Sequence, residues 1–184
     1  MIDREEALKI LRKHVKNENI VKHCIAVEAI MRKIAKVLGE DELTWGLTGL
    51  LHDVDYELTQ NEPTKHGLTA ETLICGMVPE EVLNAIRAHN YENTGFKPKS
   101  KLDKALIVAD AVSGLLIACA LVMPSKKMQE VQLQTVLRKF KSKDFARGVN
   151  RSRIILCEEI GLSLENFLKE ALDALKEVAT QLGL

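Results

Sequence analysis

Between Ala105 and Met123 the chain is almost entirely apolar, and Asp110 interrupts it. A helix that is apolar on every side must be covered on every side, by lipid or by other helices. The stretch reaches the length of a membrane span. Asp110 argues for protein rather than lipid, because a carboxylate near a bilayer centre costs roughly 2.5–3.5 kcal/mol and no second span exists to shield it. The expectation is a core helix wrapped by other helices, with no membrane partner. Leu106, Ile107, Ser113 and Gly114 are the i±3 and i±4 neighbours of Asp110, so the carboxylate faces inward. A buried aspartate is expensive without a cation or several donors, so the stretch demands both a bundle and a partner for Asp110.

The rest of the chain supplies helices. Asp3 and Glu6 make a capping box before the stripe Ala7, Leu8, Leu11 and Val15. Asn17 or Asn19 caps a second helix that Gly39 ends; its stripe is Ile20, Val27, Ile30, Met31, Ile34 and Val37, with His23 in register. Asp41 caps a third, carrying Leu47, Leu50, Leu51 and Val54 and ending in His52–Asp53; Gly46 and Gly49 would let another helix approach closely. Pro63 and Thr64 open a fourth with His66 in its first turn. Pro79 is the expected first residue of a fifth, on which Val82, Leu83, Ile86 and His89 share a face. Asn90–Ser100 reads as a loop, and Ser100 or Asp103 caps the long apolar helix. After Pro124 the spacing predicts helices over roughly 127–140, 143–160 and 164–182. No strand pattern or repeat appears. The expected fold class is all-α, one domain over 1–184 with a core at about 17–122 and additional C-terminal helices at about 125–182.

Lys+Arg and Asp+Glu both number 26, so no global field steers the chain onto nucleic acid, and no nucleic acid polymer is expected as a partner. The four cysteines (Cys24, Cys75, Cys119, Cys157) are widely spaced in apolar helical contexts and read as small buried hydrophobes in a reducing compartment. The opening MIDREEALK is acidic and lacks the apolar core of a signal peptide. The expected location is cytoplasmic.

Four helices thus each turn a polar group inward: His23, His52 with Asp53, His89, and Asp110, with His66 near a fifth helix start. His14, near the end of the first helix, reads as a surface residue. Each of the others has a bland explanation alone, as a satisfied core histidine or a capped acid. Jointly they share one, a metal site in a helical bundle, because imidazole nitrogen and carboxylate oxygen suit Zn²⁺, Mn²⁺ or Fe²⁺.

The order His23, His52–Asp53, Asp110, with the flanks LLHDVD and IVADAVSGL, resembles the HD superfamily of metal-dependent phosphohydrolases over roughly Asn17 to Val122. The resemblance implies an HD-domain helical bundle in which His23, His52, Asp53 and Asp110 bind one divalent transition metal (Mn, Fe, Co, Ni or Zn). His66 and His89 resemble the extra ligands of binuclear members, in which Asp53 would join both ions. The segment KFKSKDFARGVNR followed by ILCEEIG is similar to the tail of a small group of HD hydrolases. Two departures stand out. Members of the GYP type, which open cyclic dinucleotides, carry paired histidines, whereas Asn90 follows His89 here and the loop reads ENTGFKP. The lysine often found shortly after the HD pair is replaced by Asp55, Tyr56 and Glu57.

Phosphate calls for positive charge. Seven Lys/Arg lie between Arg138 and Arg153 against one acid, Asp144, and Lys143, Arg147 and Arg151 fall at i, i+4, i+8 of the expected helix. They are candidates for phosphate binding, as are Lys101 and Lys104 of the cluster with Lys97 and Lys99; a solvated basic face is the alternative. Asp53, Asp55, Glu57 and Glu71 are candidates for catalytic carboxylates. The expected activity is hydrolysis of a small phosphorylated metabolite, a nucleotide foremost, as phosphomonoesterase or phosphodiesterase. Two alternatives stand beside it: a mixed-valent di-iron oxygenase, which in this fold uses the same four-His, two-Asp set, and a non-catalytic module that keeps metal for structure.

Overall fold

The computed structural model describes residues 1–184 as helices joined by turns, with no strand. Asp3 caps α1 (Arg4–His14) through a complete capping box with Glu6. Asn17 caps α2 (Glu18–Leu38), which ends where Gly39 turns left-handed at φ 72°. Asp41 accepts the Thr44 N–H to start α3 (Glu42–Leu51). Two short helices follow, α4 (Tyr56–Thr59) and α5 (Thr69–Ile74), then α6 (Glu80–His89) and the single turn α7 (Tyr91–Thr94). Ser100 and Asp103 form the capping box of α8 (Lys101–Leu121). The chain closes with α9 (Leu133–Lys141), α10 (Arg151–Ile155), α11 (Leu164–Glu177) and α12 (Ala179–Leu182), with 3-10 turns at Met128–Glu130 and Leu156–Ile160.

Helix α8 is the axis. By length and composition it would cross a membrane, but it packs against α2, α3, α6, α9, α10 and α11, so the bundle covers it. A core of 49 buried residues runs from Ala7 to Leu182. Against α8 lies the most intimate helix pair, α2 on α3, and a glycine permits it. A Cβ built on Gly49 would stand 2.9 Å from the Glu28 Cα and N and from the Val27 carbonyl carbon. That close approach fixes His23 on α2 relative to His52 just beyond α3.

Several expectations need correction. The expected helix over 143–160 does not form: residues 143–149 are turns, with Ala146 at φ 46°. Asn150 caps a new helix by accepting the Ser152 and Arg153 N–H groups. Lys143, Arg147 and Arg151 therefore share no helix face. His66 lies in the turns before α5 rather than in a helix, with Gly67 beside it at φ 84°. Pro79 caps α6 instead of starting it. Cys75 is exposed, unlike the other three cysteines. Val37 of the expected α2 stripe is exposed as well.

Candidate metal centre

The sequence around each histidine fixes one ring nitrogen and leaves the other free. The His52 Nδ1–H donates to the Gly49 carbonyl at 2.8 Å, one turn back on α3. The His89 Nδ1–H does the same to Ile86 on α6. His23 Nδ1 lies 3.2 Å from Ser113 Oγ, whose own proton goes to the Asp110 carbonyl, so the imidazole must donate here too. His66 Nδ1 lies 3.0 Å from Asp55 Oδ1, and Asp55 is held from below by the N–H groups of Gly67 and Ala70. With Nδ1 of each ring turned to these partners, all four rings direct Nε2 to the centre, the atom that a metal ion would take once it is unprotonated.

These four Nε2 atoms meet two carboxylates. His23 Nε2 stands 3.2 Å from His52 Nε2 and 3.2 Å from Asp110 Oδ1. His52 Nε2 is 3.4 Å from Asp53 Oδ1 and 3.9 Å from Asp110 Oδ1. On the other side of Asp53, His66 Nε2 is 3.1 Å from its Oδ1 and 3.0 Å from His89 Nε2. The structure thus holds two groups that suit a metal ion, His23–His52–Asp53 and Asp53–His66–His89, with Asp53 in both. Ligand atoms about 2.1 Å from one ion stand roughly 3.0–3.4 Å apart in octahedral or tetrahedral arrangement. The close spacings match that range. Two bare nitrogens facing each other repel unless a cation or proton lies between them, so the donor set fits a divalent ion at either group.

The electrostatics point the same way. Burial pulls the His52 imidazolium down to about 4, so the ring is neutral. Burial also opposes charge on His66, but Asp53 and Asp55 beside it push it up to about 10. Asp110 is destabilised by burial, yet His23 holds its carboxyl down to about 2. Burial likewise works against the Asp53 carboxylate, and His52, His66, His89 and His23 hold it well below the usual range. Both acids stay ionised, as ligands must.

Not every expected site residue comes here. His23, His52, Asp53, His66, His89 and Asp110 converge, with Asp55 directly behind His66. Glu57 accepts the backbone N–H groups of Lys16 and Asn17 and so ties down the start of α2. Glu71 pairs with Arg87 at 2.9 Å. Lys101 reaches Glu40, and Lys104 pairs with Glu159 at 2.8 Å. Lys143 is exposed, and Arg147, also exposed, pairs with Asp144. Arg151 donates to the carbonyls of Lys139, Phe140, Ser142, Phe145, Ala146 and Val149, holding the turns together. These are structural partnerships, and none of them involves a ligand of the cluster.

One functional candidate escaped the sequence reading. Arg153 donates to the His89 carbonyl, brings Nη1 to 3.6 Å from Asp110 Oδ2, and stacks over the Tyr91 ring. It was one of seven basic residues in its stretch, and only the break at Asn150 aims it inward. Asn90 was missed as well: it donates to the carbonyls of Pro63 and His66 and locks the turn that holds His66.

Fold and site together define an all-α protein built around a two-group His/Asp cluster that suits metal ions. Residues 20–115 match the family described as HD domain, a span that takes in all six converging side chains. The chain belongs to the HD-domain family, whose members are generally metal-dependent hydrolases. It is similar to Ribonuclease Y of Acholeplasma laidlawii (strain PG-8A), 29% identical over 97 residues. That alignment covers 52% of this chain but 18% of the relative's length. No solved structure matches the chain.

Proposed function

We propose that the protein is a metal-dependent phosphohydrolase in which His23, His52, Asp53 and Asp110 hold one divalent ion and Asp53, His66 and His89 hold a second. The convergence of four Nε2 atoms on a shared Asp53 carries this reading. When bound, such ions polarise a phosphoryl oxygen and lower the pKa of water. The protein's own part is to aim the ligands. Gly49, Ile86, Ser113 and Asp55 fix the four rings, and Asp53 and Asp110 remain anionic. Asp55 accepts two backbone N–H groups at Oδ2 and turns Oδ1 to His66 Nδ1 at 3.0 Å, so it orients a ligand.

The substrate of this reading is a small phosphorylated metabolite, with nucleotides the first to test. Supporting a small molecule rather than a polymer, the net charge is zero, and Lys101, Lys104 and Arg147 are paired with Glu40, Glu159 and Asp144. We assign the protein to the cytoplasm, where its four free thiols would persist.

The four-His, two-Asp set also suits a di-iron oxygenase, and one assay separates the two. Turnover of phosphate esters with Mn²⁺ under nitrogen is expected for a hydrolase, which needs no redox change. Product that forms only with iron and oxygen would make the oxygenase the better reading.

A further inference from the structure

Two arginines two residues apart behave differently. Arg151 spends its guanidinium on backbone: Nε, Nη1 and Nη2 all donate to carbonyls of the Lys139–Val149 segment. Arg153 uses Nη2 on the His89 carbonyl, while Nη1 makes only the 3.6 Å approach to Asp110, and buried Nε, with Glu92 at 3.8 Å, has no hydrogen-bond partner. Most of its donors are unspent, although the side chain is 16% exposed and stacked on Tyr91. It also lines a cleft of 260 Å³ that opens on His23 and Asp110, with Ser113, Gly114, Gly148 and Asn150 among the other walls. A cation with free donors, fixed beside a ligand pair, is built for an oxyanion that arrives from the cleft.

The cleft wall comes from the turns that Arg151 clamps. Gly148 lines the cleft, and a Cβ placed there would have nothing within 4 Å, so this wall has room for a side chain that glycine does not supply. The clamp and the new helix start at Asn150 set Gly148, Asn150 and Arg153 side by side.

We infer that Arg153 receives the non-bridging oxygens of the substrate's phosphate, and that the Arg151-clamped segment 142–150 limits the size of the group the phosphate carries. The inference rests on the hydrolase reading above and adds a substrate-binding residue and a specificity wall to it. Arg153 supplies one positive charge next to Asp110, and its planar fork suits a tetrahedral oxyanion better than an ammonium would.

The test uses full-length Mn²⁺-loaded protein, with p-nitrophenyl phosphate as substrate and inorganic phosphate as competing ligand. Mn²⁺ content is measured in parallel for each variant. Arg153→Ala should weaken inorganic phosphate binding by roughly ten- to a hundredfold with Mn²⁺ content unchanged, and Arg153→Lys should recover part of it. Gly148→Leu should raise KM for p-nitrophenyl phosphate several-fold more than it raises the inhibition constant of inorganic phosphate. If Arg153→Ala binds phosphate as the wild type does, or if it loses its Mn²⁺, Arg153 serves only Asp110 and the inference is wrong while the hydrolase reading stands. If Mn²⁺-loaded wild type neither binds phosphate nor cleaves any phosphate ester, both fall.

Discussion

Replacing Gly49 by alanine should damage the metal centre more than it damages the fold. The new Cβ would sit 2.9 Å from three backbone atoms of α2, whereas an ordinary contact lies at 3.4–4 Å. Backbone cannot rotate aside, so α3 must back away from α2 by about 0.5–1 Å, at the overpacking penalty of roughly 1–3 kcal/mol. Alanine returns about 1 kcal/mol of helix propensity, leaving a net loss of about 0–2 kcal/mol and a fall in Tm of at most roughly 8 °C. The displacement reaches the site directly, since the Gly49 carbonyl holds His52, and His52 Nε2 faces His23 Nε2 on α2 at 3.2 Å. Metal sites tolerate only ~0.2 Å of ligand displacement, so Mn²⁺ affinity should drop at least tenfold. Calorimetric melting in chelator and in saturating Mn²⁺ measures both effects. Gly46→Ala is the control: the three atoms nearest its Cβ all belong to the Arg32 side chain, which can swing away and give up its bond to Glu28. A Gly49→Ala protein that melts higher, as an exposed helical glycine would, and binds Mn²⁺ unchanged refutes this account of the α2–α3 contact.

Other perturbations follow the same geometry. Asp55→Asn should turn an amide N–H toward His66 Nδ1, favouring the tautomer with a protonated Nε2 and weakening the His66–His89 position about 10- to 100-fold in a metal titration. Metal loading should weaken as pH falls, because ligating imidazoles must be neutral. The effect should be steeper for the second ion: His66, pushed up to about 10 in the ion-free cluster, must release a proton on loading, while His52, pulled down to about 4, has none to release. Proton release on Mn²⁺ addition near neutral pH, read with an indicator dye, checks this; equal and negligible release in wild type and His66→Ala would contradict it. In the metal-free protein, the stabilisation from charged His66 is fully present below pH 6.5 and is lost as pH rises through about 10, a decline that His66→Ala should lack. Arg151→Ala removes a charged donor from six carbonyls and should destabilise by about 2–3 kcal/mol, visible in urea unfolding.

The parts of the site that sequence revealed are those whose chemistry is written in residue type and helical register. His23 falls inside the α2 stripe, His89 shares a face with Ile86, and Asp110 is the acid in an apolar helix, so inward direction followed from spacing alone. The caps at Asp3 and Asp41 were equally readable because side chain and first turn are adjacent in sequence, and those of α2 and α8 were narrowed to two candidates each, of which the structure uses Asn17 and Ser100. What failed was long-range. Glu57 is spent on the α2 N-terminus and Glu71 on Arg87, partners that no local pattern announces. The basic stretch misled because i, i+4, i+8 spacing suggests a helix face only where a helix continues. Gly148 followed by Asn150 was the available warning, a flexible residue and then a strong N-cap. The division of labour between Arg151 and Arg153 emerges only when the turns are folded around the first of them.

The central claim is that six side chains form two metal positions joined through Asp53. Its most direct test is a Mn²⁺ titration by calorimetry on chelator-stripped protein, comparing wild type, His23→Ala, His66→Ala and Asp53→Asn. Two equivalents are expected for wild type, one for each histidine variant, and loss at both positions for Asp53→Asn. Wild type that binds no ion, or histidine variants that both retain wild-type stoichiometry, would contradict it.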